Sequence, residues 1–252
     1  MTWNFAMQAM DQLINSCAKA CYMTGSNLNR CPIVFRGLNG PTAGAAAQHS
    51  QCFTAWYGSV PGFKVLSPWN CEDARGLLKS AVRDDNPVVF LESELMYSVP
   101  FEFDKKVMDT EFLLPIGKAK FEKQGNDVTI VSYSKMVGVA VEAAKILESE
   151  HKIKADVINL RTIRPLDRKS IVESVKKTNH IVSVEDGWPQ SGMGAEMAGI
   201  MMEEAFDYLD APLERLTGAD VPMPYSLPLE KAAIPQPHNV VNGVLKVLKR
   251  RK

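Results

Sequence analysis

The sequence predicts an α/β chain of two domains. Short apolar runs of strand length alternate with helix-period segments through most of residues 33–249, the pattern of strands and helices packed in layers. The run Pro87-Val-Val-Phe-Leu91 is apolar throughout, as a parallel strand covered on both faces requires. The length of 252 residues exceeds the usual extent of one domain, which makes two domains of roughly 100–150 residues the expectation. The first is placed at 1–105, a linker at 106–125 and the second at 126–252.

Met10, Leu13, Ile14, Cys17 and Cys21 recur at helical spacing and predict a helix over 9–21, stopped by Thr24-Gly25-Ser26. Ile33-Val-Phe35 reads as a short buried strand, followed by a Gly- and Ala-rich loop over 37–50, an aromatic helical patch over 53–57 and a strand over 63–66. Asn70 is a candidate N-cap, with Glu72 and Asp73 in the first turn, for a helix that buries Leu77, Leu78, Ala81 and Val82 and ends near Asp84. After Pro100 the text turns irregular and charged to about Lys118. Strands are then expected over 128–132, 155–160, 180–184 and 213–216, and helices over 137–148, after Asp167, over 194–206 and over 239–249.

Lys+Arg and Asp+Glu both number 29, so the charge balance offers no track for nucleic acid and no patch for an anionic membrane. No apolar run reaches the roughly 18 residues of a helical membrane span. The five cysteines are an odd set without a CxxC pair, which argues against a disulfide framework or a zinc site and for small buried hydrophobes in a reducing compartment. The opening Met1-Thr-Trp-Asn-Phe5 has the character of neither a signal nor a transit peptide. A cytosolic protein, or one whose beginning is missing, is the expectation.

Two α/β domains host many chemistries, so function has to come from sites. Ile33-Val-Phe-Arg-Gly37, Ala45-Ala-Ala-Gln-His-Ser-Gln51, Lys64-Val-Leu-Ser-Pro68, Arg83-Asp-Asp-Asn-Pro-Val88 and Gly218-Ala-Asp-Val-Pro-Met-Pro-Tyr225 resemble, in order and approximate spacing, the beta subunits of pyruvate dehydrogenase. The resemblance implies a truncated pyrimidine-type thiamine-diphosphate-binding domain followed by a transketolase C-terminal-like domain. It implies an oxidoreductase subunit that contributes to oxidative decarboxylation of pyruvate and acetyl transfer to lipoyl groups, between glycolysis and acetyl-CoA biosynthesis. The implied assembly is a heterotetramer of two alpha and two beta chains, docked on the dihydrolipoyl acetyltransferase core. Thiamine diphosphate would be shared with the alpha subunit, which holds its magnesium.

Residue by residue, the resemblance places Phe5 against the aminopyrimidine ring with Gln8 beside it, and gives His49 the catalytic role. An imidazole is the side chain that gains and loses protons near neutral pH. Ile33, Ala81, Val82, Asp84 and Asn86 fall on a structural potassium site, where helix-end carbonyls suit a hard monovalent cation. Without the resemblance, Phe5 reads as a core anchor, His49 as a structural histidine and the potassium set as a helix cap with a turn. Ser191-Gly-Met-Gly-Ala-Glu196 has the glycines of an anion-binding helix entrance, with close helix–sheet packing the favoured reading. His180 and His238 read as solvated or capping residues, Trp56, Trp69, Trp188 and Met201-Met202 as core, and Lys249-Arg-Arg-Lys252 as a solvated end.

The family's cofactor-activating glutamate lies upstream of the position of Met1, and nothing here matches it. A chain that is silent without an alpha subunit is therefore expected, in a mitochondrial matrix, with plastid and bacterial cytoplasm open. Two alternatives stay open: a beta subunit for branched-chain 2-oxo acids or acetoin, and a truncated interaction module without turnover.

Overall fold

The computed structural model describes residues 2–25 and 30–249; Ser26 of the expected helix stop and residues 250–252 of the basic tail lie outside them. The chain opens on a 3₁₀ turn, Trp3–Ala9, continues through a π-helical stretch, Gln12–Cys17, and closes the segment with α1, Ala20–Met23. The helix predicted over 9–21 thus starts earlier and changes period, because burying Trp3 and Asn4 near its start and Leu13 and Cys17 further on sets the pitch. Gly25 ends it with φ +75°, a conformation that favours glycine.

The first layer contains β1 (Val34–Leu38), α2 (Thr54–Gly58), β2 (Lys64–Leu66), α3 (Cys71–Val82) and β3 (Val88–Glu92). Every residue of β3 is buried, as the uninterrupted apolar run requires. The Asn70 side chain caps α3 by accepting from Asp73 N at 2.8 Å. Leu77 and Ala81 are buried under it, whereas Val82 is 65% exposed because the helix ends there.

The second layer contains β4 (Lys120–Lys123), β5 (Val128–Ser132), α4 (Met136–His151), β6 (Ala155–Asn159), β7 (Thr162–Arg164), α5 (Arg168–Thr178), β8 (Ile181–Val184), α6 (Met193–Glu204), β9 (Glu214–Leu216), α7 (Leu227–Ala233) and α8 (Pro237–Lys249). Its sheet runs β4-β6-β5-β8-β9, with only the β4/β6 pair antiparallel. The second sheet therefore begins inside the stretch assigned to a linker, where the pairing of Phe121 with Ile158 fixes β4.

The first sheet runs β1-β3-β2-β7. Its parallel strands are extended by β7, which pairs antiparallel with β2, so a segment from the second half of the chain completes the first sheet. Tyr57, Val65, Val89 and Leu91 share one apolar cluster with Tyr133, Ile158, Leu160, Ile171 and Met197. The two layers thus have a common core. Among the described residues no helix is long and apolar enough to cross a membrane.

Candidate functional site

The site lies at the β1 end of the first sheet, where two 3₁₀ turns from distant parts of the chain meet. Thr2 bridges Leu38, and Trp3 is 5% exposed against Tyr57, with ring centroids 5.0 Å apart. Gly37 makes room for that indole, since a Cβ there would stand 3.3 Å from Trp3 Nε1. With Trp3 anchored, Phe5 meets His49 at 5.1 Å between centroids, the rings inclined by 49°. Both are half-buried and Gln8 is exposed. The structure therefore brings two of the three expected cofactor-side residues into contact and leaves the third facing outward along the same turn.

His49 ends the turn Ala47–His49 in a loop held at several points. At its base Asn39 Oδ1 accepts from Phe53 N at 2.6 Å, and Asn39 N donates to Glu92 O at 2.7 Å. Further in, Gly40 N donates to Gln51 O at 2.9 Å, and the hydroxyls of Thr42 and Ser50 lie 3.0 Å apart. Gly44, at φ +72°, donates its N–H to Glu230 Oε2 at 2.9 Å. Glu230 belongs to α7 and is 6% exposed. A carboxylate from the second layer thus holds the backbone of the His49 loop, a residue the sequence did not flag because its partner lies 186 positions away.

Beside Phe5, Asn4 is 6% exposed, and its side-chain oxygen and nitrogen make no hydrogen bond among the described residues. Buried unpaired amide groups are costly, so this position suits a polar ligand or partner group. That observation and the exposed edges of the Phe5/His49 pair fit the heterocyclic end of a thiamine cofactor.

The glycine-rich entrance of α6 is already occupied by a carboxyl group of this chain. Glu185 Oε2 accepts from Met193 N at 3.0 Å and Oε1 from Gly194 N at 2.7 Å. Burial raises the Glu185 carboxyl above its ordinary range against the opposing pull of those two N–H groups. Burial likewise lowers the Lys135 ammonium, which Asp186 and Glu230 partly restore. His180, expected to be solvated or capping, is 0% exposed, with Nδ1 3.0 Å from Thr178 O: the strand that follows carries it into the core.

The expected potassium residues converge where α3 ends beside the starts of β1 and β3. Ile33 O accepts from Val88 N at 2.9 Å and Ala81 O from Asp84 N at 3.2 Å. Asp84 Oδ1 accepts from the Asn86 backbone and side chain, both at 2.9 Å, and Asp84 Oδ2 pairs with the Lys64 ammonium. Among the described residues no cluster of three or more His, Cys, Asp or Glu suits a metal ion, so an ion here would depend mainly on main-chain oxygens.

Burial pushes the Asp84 carboxyl up, but the bonds from Lys64 and Asn86 outweigh it and hold the group below its ordinary value of 3.8. A depressed acid stabilises the fold fully above that value and loses its contribution as pH falls through the lower folded value. Lys64→Met is therefore expected to flatten the acid limb of stability below pH 3.8, read as urea midpoint against pH; an unchanged limb would show that Lys64 does not set this titration.

Two shared-core α/β layers with a ring pair at the β1 end are the arrangement to compare with known proteins, and the comparisons place the chain in the transketolase class. Residues 1–100 match the description "Transketolase, pyrimidine binding domain" and residues 117–240 "Transketolase, C-terminal domain". A solved "Split gene transketolase, inactive beta4 tetramer" superposes with TM-score 0.79 at 25% identity, over 100% of this chain and 75% of that one. The chain is 60% identical over 252 residues to "Pyruvate dehydrogenase E1 component subunit beta, mitochondrial" of Dictyostelium discoideum, covering 100% of this chain and 70% of that protein. The Homo sapiens protein of the same name is 59% identical over 249 residues, 98% of this chain and 69% of its own length. In Oryza sativa subsp. japonica, subunit beta-1 is 58% identical over 243 residues, 96% and 64% of the two chains. The chain belongs to the family of pyruvate dehydrogenase E1 beta subunits.

Proposed function

We propose that the chain acts as the beta subunit of a pyruvate dehydrogenase and forms the aminopyrimidine-side wall of a thiamine diphosphate site completed by an alpha subunit. The observation that carries this reading is the 5.1 Å contact of Phe5 with His49, two residues 44 positions apart that share no other role in the core. The names of the relatives favour pyruvate over branched-chain substrates or acetoin.

Thiamine diphosphate, when bound, supplies the electron sink for decarboxylation. The chain's own residues orient and manage protons. Phe5 offers a ring face to the aminopyrimidine and Gln8 a polar group at its rim, while Asn4 supplies an unpaired amide beneath. His49 takes up and releases protons at its ring nitrogens. Glu230 keeps the His49 loop in place through Gly44. The proposal extends to magnesium on the alpha side, an α2β2 assembly, contact with the acetyltransferase core and a mitochondrial matrix location, consistent with the names of the relatives. It also includes a potassium ion at Ile33, Ala81, Val82, Asp84 and Asn86, which would use the second lone pair of the Ile33 carbonyl and share the Ala81 carbonyl with the turn N–H groups that close α3.

The chain is expected to co-purify with a pyruvate dehydrogenase alpha subunit and, with thiamine diphosphate and magnesium, to favour pyruvate over 3-methyl-2-oxobutanoate. Absence of any complex would overturn the reading. Within the complex, Phe5→Ala is expected to raise the KM for thiamine diphosphate about two- to tenfold, the value of one aromatic stacking contact. An unchanged KM removes Phe5 from the site.

A further inference from the structure

We propose that Cys17 and Cys31 form a redox modification site: in the folded chain, an oxidant of the peroxide class joins them in a disulfide that fastens the N-terminal helical segment to the base of β1. Their sulfurs stand 2.9 Å apart although the residues are 14 positions apart. An S–S bond is about 2.0 Å long, so about 1 Å of approach closes it.

Both residues are held by independent contacts. Cys17 is 8% exposed at the end of the π-helical stretch, in which Leu13 is also buried. Cys31 N donates to Asp85 O at 3.0 Å and Cys31 O accepts from Ile33 N at 2.8 Å, so its position follows the corner that holds Asp84 and Asn86. The fold thus brings the pair together without any help from sequence proximity. None of the five cysteines is in a disulfide in the structure.

The two thiols differ in reactivity. Burial, with the neighbouring Cys31 and Cys21 thiols, pushes Cys17 up to about 12, which keeps it protonated, and a thiol is a far weaker nucleophile than a thiolate. Cys31 is the more exposed partner and meets oxidant first. Hydrogen peroxide takes the Cys31 thiol to a sulfenic acid and leaves as one water. The Cys17 sulfur, held against its partner, then attacks the Cys31 sulfur as its proton passes to the departing oxygen: an S–S bond forms, the S–O bond breaks, and the hydroxyl leaves with that proton as a second water. Two thiols are oxidised and one peroxide is reduced. The product links the segment that bears Phe5 to the corner that bears Asp84 and Asn86.

The test uses the full chain, folded, exposed to dilute hydrogen peroxide and then alkylated, with intact mass, thiol titration and peptide mapping as readouts. The expected result is loss of two of the five thiols, a mass decrease of two hydrogen atoms, and one cross-linked peptide pair containing Cys17 and Cys31, all reversed by a dithiol reductant. Cys31→Ser, the change at the more exposed position, abolishes all three. In the chain unfolded by denaturant, the same oxidation scatters bridges among the cysteines. Retention of five thiols, conversion of Cys31 to its sulfinic acid without a bridge, a bridge through Cys21, Cys52 or Cys71, or cross-linking between chains would each overturn the proposal.

Discussion

His49→Ala is expected to lower turnover of pyruvate by a complex of this chain with an alpha subunit about 10²–10⁴-fold, the range general acid–base groups contribute. The fold should lose little, with unfolding free energy lowered by no more than about 1.5 kcal/mol, the value of one aromatic contact. The ring is half-buried and packs on Phe5. The loop's attachment through Asn39, Thr42, Ser50 and Gly44 does not involve the imidazole. Activity and stability should therefore separate. Measuring decarboxylation and lipoyl acetylation separately shows which proton transfer the imidazole serves; both unchanged would remove His49 from the chemistry.

How much of this was legible depended on the distance over which each feature is determined. Helix α3 could be read from Asn70, Glu72 and Asp73, because capping and first-turn charge act within one turn. Strand β3 could be read from Val88-Val-Phe-Leu91, because burial on both faces leaves no polar alternation. Strand β7 could not. Three residues ahead of Pro165 carry no periodic signal, and the segment is a strand only because β2 offers it an edge. The short α7, seven residues long, gives no sustained period, and Glu230 was missed with it. Gly192 and Gly194 suggested close helix–sheet packing, and a Cβ at either would crowd Glu185; the carboxyl that accepts from the N–H groups of that helix entrance carried no local signal. The Phe5/His49 pair was visible through family resemblance alone, since no local rule relates a 3₁₀ turn near the start of the chain to a loop beyond β1.

The same seam between layers holds the substitution with the largest expected effect on stability. Asp73 is 0% exposed and Arg161 is 6% exposed. Asp73 Oδ1 accepts from Arg161 Nε at 2.7 Å, and Oδ2 accepts from Asn159 Nδ2 at 2.7 Å and Trp69 N at 3.3 Å. One carboxylate from α3 thus closes off a guanidinium and an amide from the far side of the interface and a backbone N–H from its own side. Among the described residues, Asp73→Ala leaves buried Arg161 with Glu72 alone, at 3.2 Å, as a charged partner. Breaking a buried pair from one side costs about 3–5 kcal/mol, whereas replacing both partners with apolar groups of similar volume is often neutral or stabilising. The single change is therefore expected to lower stability by about 3 kcal/mol, the low end because Glu72 remains, while Asp73→Leu with Arg161→Met recovers most of the loss. Urea unfolding of the two variants decides it. If the single change costs less than about 1 kcal/mol, the value of an exposed pair, the interface is held by the shared core of Tyr57, Leu91, Tyr133 and Leu160, and the ion pair only orders side chains that apolar packing has already brought together.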